Sequence, residues 1–304
     1  MSRRCSRVGR CVAVAAAVAP LGVAACGDDS KSDKAATKPA PTPLAITTSD
    51  VASKRFKTVA PKSIKGGLVK LTLTNASKKD EHAAQLLSVK GAHTSKELLK
   101  LFSREDAPIP DWVGLAGGTG TIGPGQTVSA TLNLPAGKYV MFDFGGGDGP
   151  SASSRGAFAE FEVTAGQNGA LPASSATITA STDEQGEPEN SFEVSGGLKV
   201  GKNQVRLVTK GEQPHHAVLF PILPGKKLAD VKQAFMQQGR PSGPPPVDFE
   251  GAVNTSTLDG DLEQVTDIQL RKPGKYVMVC FLKDRDGRGK PHLAEGMLKE
   301  VDVK

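Results

Sequence analysis

Gly137-Lys138-Tyr139-Val140-Met141 returns unchanged as Gly274-Lys275-Tyr276-Val277-Met278, 137 positions further on. An identity of this kind, at domain-sized spacing, points to two copies of one unit. The flanks agree. Alternating segments precede each copy (127–134 and 263–270), and a final alternating segment follows each (156–163 and 296–303). Further upstream, residues 65–75 parallel 201–209, and Glu81-His82-Ala83 parallels His215-His216-Ala217. One short helical pattern follows in each copy, at 95–102 and at 227–238, the second with Leu228, Val231 and Phe235 on one face. The remainder is short period-two segments divided by Gly, Pro, Asn and Asp. The pattern predicts an all-β chain of two tandem Greek-key β-sandwiches, seven or eight strands each, with one short inserted helix apiece. The repeats run over 45–165 and 172–304, and the short connection between them suggests that they touch.

The N-terminus carries no fold signal. Arg3, Arg4, Arg7 and Arg10 precede an apolar run from Val12 to Ala19, too short to span a bilayer. Small residues then lead into Cys26 and an acidic, polar stretch. Leu21-Gly22-Val23-Ala24-Ala25-Cys26 resembles the lipobox of bacterial lipoproteins. The resemblance implies a signal peptide over 1–25, lipid on Cys26, and a position on the extracytoplasmic face of the cell membrane. Residues 26–44 are polar and rich in Pro and Lys, and read as a disordered tether.

Cleavage changes two quantities. The formal charge of +6 includes the four arginines of the signal, so the remaining chain is only weakly basic. With no basic stripe interleaved with aromatics, nucleic acid is not an expected partner. Of the four cysteines, Cys5 and Cys11 leave with the signal and Cys26 takes lipid. Cys280 is then the one thiol, in an oxidising compartment, where it must be buried or employed.

The second repeat orders its polar residues as a metal site would. His215-His216 precedes the apolar Val218-Leu219-Phe220; Cys280 ends the Tyr276 segment; His292 and Met297 follow. This order resembles cupredoxins, the copper-binding β-sandwiches such as plastocyanin, over most of 172–304 and more loosely over 45–165. The resemblance implies one copper held by His216, Cys280, His292 and Met297. The alignment of His82 with His216 favours that histidine, and His215 is the alternative. Two imidazoles and a thiolate with a distant thioether suit both Cu(I) and Cu(II). The implied function is electron transfer or copper carriage at the cell surface. Electrons would leave through an exposed edge of His292, with a redox or copper-donor protein as partner.

One feature departs from the family. Eleven residues separate Cys280 from His292, where cupredoxins have a few. Asp284 to Gly289 reads as a solvated hairpin tip, and loop length alone costs little. The first repeat is an internal control: Asp143 stands at the Cys280 position, Ala157 at the Met297 position, and 150–152 lacks a histidine. It cannot form the site, and is expected to be structural or to bind a partner. The glycine-rich runs 117–120 and 145–149 read as loops joining strands, which excludes a phosphate cradle at a helix start. A cysteine inside a strand is poorly placed for hydrolysis, and no enzyme is expected. The reading from another class is a metal-free scaffold lipoprotein with a buried thiol.

Overall fold

The computed structural model describes residues 40–104, 107–145, 150–183, 189–237 and 243–304. The expected signal peptide, Cys26 and the tether as far as residue 39 lie outside them.

Among the described residues, each repeat supplies eight strands. The first has β1 (Thr42–Ala52), β2 (Arg55–Val59), β3 (Ser63–Asn75), β4 (His82–Val89), β5 (Val113–Ile122), β6 (Thr127–Leu134), β7 (Gly137–Phe142) and β8 (Phe158–Gln167). The second has β9 (Ala176–Asp183), β10 (Glu189–Gly196), β11 (Gly201–Lys210), β12 (Val218–Pro221), β13 (Val253–Asn254), β14 (Glu263–Leu270), β15 (Gly274–Val279) and β16 (Leu298–Val303). The inserted helices are α1 (Ser95–Leu101), between β4 and β5, and α2 (Leu228–Met236), between β12 and β13. A one-turn 3-10 helix precedes the last strand of each repeat, at Ser153–Arg155 and His292–Glu295.

The repeated pentapeptide has a local cause. Both tyrosines are buried, and each hydroxyl donates to the carbonyl four residues earlier, Tyr139 to Pro135 and Tyr276 to Lys272, at 3.0 Å. The ring fills the core while its polar end is satisfied at the rim, a pairing that buried tyrosine requires. Alternation does the rest. In β15 and just beyond it, Tyr276, Met278 and Cys280 face the sandwich core, while Val277 and Val279 pack on the side of α2.

In the second repeat, β10-β9-β11-β14 forms one layer and β13-β12-β15-β16 the other. In the first, the equivalent layers are joined because β3 is long. Its start runs parallel to β8, its remainder antiparallel to β6, with an irregularity between Lys65 and Gly67. The repeats meet edge to edge, β6 against β14, with Thr131 opposite Val265. One 12-stranded sheet results, and the described residues form one compact unit.

Two sequence expectations need correction. The strand begins at Thr42, inside the stretch assigned to the tether, because Leu44 and Ile46 are core residues paired beside Leu71 and Leu73. The proline content around them concealed that alternation. Gly117 and Gly118 do not lie in a connecting loop; they sit within β5 at φ +90° and +140°. A Cβ on Gly118 would stand 1.9 Å from the Ala84 carbonyl oxygen. The bare backbone lets Gly118 N–H donate to Gln264 Oε1 across the seam at 2.8 Å.

Candidate metal centre

Parity along two strands assembles the site. Leading into β12, Ala217 and Leu219 face the core and His215 continues that face; Val218 and Phe220 face α2. Cys280 extends the inward face of β15. The next strand end is tied on by backbone bonds: Leu293 N–H to Cys280 O (2.9 Å), Cys280 N–H to Met297 O (3.2 Å) and Met297 N–H to His292 O (2.9 Å). His292 N–H also donates to Leu282 O at 2.7 Å. The long connection is therefore closed at its base, and only 283–291 loop out.

His215, Cys280 and His292 offer ligand atoms all within 4.8 Å of one another. The two Nδ1 atoms are 3.1 Å apart, and Cys280 Sγ is 3.6 Å from His292 Nδ1. These three residues and Met297 are fully buried, and Met297 shares the apolar cluster of Cys280.

His216, the favoured first histidine, is not in this group. It points to the opposite face, where its Nε2 accepts the Phe281 N–H at 3.1 Å. Register explains the difference. Gln85 lies opposite Phe142 as Val218 lies opposite Val279, so His82 corresponds to His215. A one-residue shift on a strand exchanges faces. The sequence carried the signal: His82-Ala83-Ala84-Gln85-Leu86 matches His215-His216-Ala217-Val218-Leu219 in His, Ala and Leu.

A one-way hydrogen-bond chain fixes the tautomer of His215. Asn190 Nδ2 donates to Glu295 Oε2 (2.9 Å), so Asn190 Oδ1 is the acceptor for the Thr182 hydroxyl (2.7 Å). Having one proton, Thr182 Oγ1 can then only accept from His215 Nε2, 2.9 Å away. The bare lone pair of His215 is on Nδ1, aimed into the site. His292 Nε2 faces Asp284 Oδ1 at 3.3 Å, which likewise leaves its Nδ1 bare. The thiol proton of Cys280 can serve His292 Nδ1; nothing else in the group donates to His215 Nδ1.

Burial sets the charges. It pushes His215 down to about 3, assisted by His292 and His216, and His216 down to about 4, assisted by His292. It also lowers His292, against the pull of Asp284 and Glu295. Burial raises the Cys280 thiol to about 12, although backbone N–H groups of His216 and Leu282 favour the thiolate. The pocket is thus neutral, with converging soft and imidazole donors. Such a donor set fits copper: a cation would resolve the facing lone pairs and replace the thiol proton.

The first repeat shows the same position without those donors. His82 Nδ1 meets Asp143 Oδ2 at 2.6 Å, and its Nε2 meets Ser77 Oγ at 2.9 Å. Ala152 and Ala157 stand where His292 and Met297 stand, by the same backbone bond from Ala157 N–H to Ala152 O. Phe56 fills the vacated volume, packing on both alanines and edge-on to His82 at 4.6 Å. Its counterpart in the second repeat is Asn190: Gly156 abuts the Phe56 carbonyl as Gly296 abuts that of Asn190.

Two expectations about the 281–291 connection are overturned. Residues 284–289 are not a purely solvated tip, since Asp284 reaches His292 and Arg285 is inserted against the first repeat. His292 has no exposed edge; its side chain is at 0% exposure. Phe281, the neighbour of Cys280, is instead 40% exposed. Thr182, Asn190, Asp284 and Glu295 escaped the sequence reading, because polar residues on separate strands and loops give no periodic signal.

No protein-family model matches the chain, and no curated protein matches it. Among solved structures, it is similar to one described as a multicopper oxidase (14% identity, 86% of this chain and 88% of that chain, TM-score 0.23). It is similar to the copper-containing nitrite reductase of Thermus scotoductus SA-01 (13%, 86% and 61%, TM-score 0.25). It is also similar to auracyanin of Roseiflexus castenholzii (18%, 40% and 96%, TM-score 0.27). At these TM-scores the likenesses carry no weight for the site; the all-β fold and the buried donor group stand on the chain's own geometry.

Proposed function

We propose that the second repeat binds one copper ion and that the protein serves electron transfer or copper carriage. The observation that supports this most is the convergence of His215 Nδ1, His292 Nδ1 and Cys280 Sγ in a fully buried, neutral pocket. His215, Cys280 and His292 would hold the ion, with Met297 beside them. Copper in such a group supplies a one-electron couple between Cu(I) and Cu(II).

The chain's own residues do the positioning. Thr182 and Asp284 orient the two rings through the nitrogens that face away from the site, as partners of metal-binding histidines do. The apolar cluster around Cys280 excludes water. Phe281, covalently next to Cys280 and partly exposed, is the side chain that a redox partner would meet first. The metal-free scaffold reading suits the first repeat, where Phe56 and two alanines occupy the space. Anchoring through Cys26 and a position outside the cytoplasm complete the proposal; both follow from the lipobox resemblance.

The test is a copper titration of residues 30–304, read by metal content and visible absorption. One copper per chain with an intense thiolate-to-copper band, lost in Cys280→Ser, is the expected result. Absence of bound copper would leave a two-repeat scaffold.

A further inference from the structure

The eleven-residue connection from Cys280 to His292 is docked on the first repeat, and Arg285 is the docking point. Ile109 N–H donates to the Arg285 carbonyl at 2.8 Å. The guanidinium donates to the Pro110 carbonyl (3.3 Å) and, in a very short contact, to the Val113 carbonyl. Its other arm pairs with Asp259 Oδ1 at 2.5 Å. Asp259 is itself bound to the first repeat, accepting the Leu115 N–H at Oδ2 (2.8 Å). Arg285 N–H is meanwhile held by Gln213 Oε1 at 2.9 Å, two residues before His215. Arg285 and Asp259 are each less than a quarter exposed.

The residue before Arg285 is Asp284, whose carboxylate faces His292 Nε2. One side-chain anchor therefore fixes the carboxylate that orients a proposed ligand. Three of the anchor's partners, Ile109, Pro110 and Val113, lie in the first repeat, and its ion-pair partner Asp259 is tied to that repeat through Leu115. We infer that the first repeat, whose His82 and Asp143 are engaged with each other and which has no three-donor group among the described residues, acts as a clamp that positions His292 through Arg285 and Asp284. Arg285 is a positioning residue, not a ligand. Five donors in a rigid fork suit a site with two carbonyls and a carboxylate, and lysine cannot reproduce it. The inference explains how a connection longer than the family's keeps His292 in place, and it rests on the proposed copper site only for its second readout.

Arg285→Ala and Arg285→Lys in the 30–304 protein give the test. The first readout needs no metal: amide hydrogen exchange across 281–292, with β3 and β11 as internal controls for folding. Exchange faster by about tenfold or more within 281–292, with the controls unchanged, is expected in both variants, less so in the lysine variant. The second readout is copper affinity by competition with a chelator, together with the visible spectrum; an affinity loss of about tenfold and a shifted band are expected. Unchanged exchange in 281–292 with a folded control overturns the clamp. Accelerated exchange in a protein whose wild type binds no copper keeps the clamp and overturns the copper site instead.

Discussion

Thr182 has one hydroxyl proton, and it is given to Asn190. That single commitment decides which nitrogen of His215 is free to bind. Replacing Thr182 by valine keeps the shape and removes the acceptor of His215 Nε2–H. The ring then loses both its tautomer preference and its orientation. We expect Thr182→Val to weaken copper binding by roughly 10- to 100-fold, the usual effect of deleting an outer partner of a metal histidine. The far-UV spectrum should be unchanged, and a chelator competition measures the loss. The same scale shows the limit of sequence reading. Cys280 and His292, which the structure brings together, could be singled out from their order along the chain. The choice between His215 and His216 turned on strand parity, and aligning the apolar run rather than the His-x-Ala-x-Leu pattern placed the histidine on the wrong face.

Among the elements, β2 and β10 do equivalent jobs with different side chains. β10 brings Asn190 to the relay that serves His215. β2 brings Phe56 into the space that two alanines leave at the corresponding place in the first repeat. Phe56→Ala should open a cavity beside His82, whose two ring nitrogens are already engaged by Asp143 and Ser77, costing about 3–5 kcal/mol of stability. Urea unfolding of the metal-free protein would measure it, and copper stoichiometry should not change. The strands were readable from alternation, and both helices from their spacing. The role of the 281–291 connection was not, because its charged composition reads as solvated, whereas Arg285 finds its partners in segments far away in sequence. Long-range contacts of this kind leave no local pattern.

For the whole molecule, burial of titratable groups sets a pH window. His215, His216 and His292 are held neutral in the folded chain, with His215 at about 3 and His216 at about 4. Below their ordinary value near 6.5, the unfolded chain takes up protons that the folded chain refuses. Stability of the metal-free protein must therefore fall as pH drops from about 6.5 toward 4. Cys280 acts at the other end: its thiol keeps its proton to about 12, while the unfolded thiol ionises near 9. Stability must then fall again as pH rises above about 9. Urea midpoints measured across pH should peak between about 7 and 8, and Cys280→Ser should flatten the alkaline limb. Copper, binding the folded chain, should raise the midpoint in proportion to the logarithm of its concentration. Because β6 and β14 join the repeats in one sheet, both should unfold in a single transition.

The most direct measurement compares His215→Ala with His216→Ala in the copper titration, reading stoichiometry and the thiolate-to-copper band. The geometry predicts that His215→Ala abolishes the band while His216→Ala retains one copper and a band of similar strength. A band that survives His215→Ala, or one lost only in His216→Ala, would contradict the site described here.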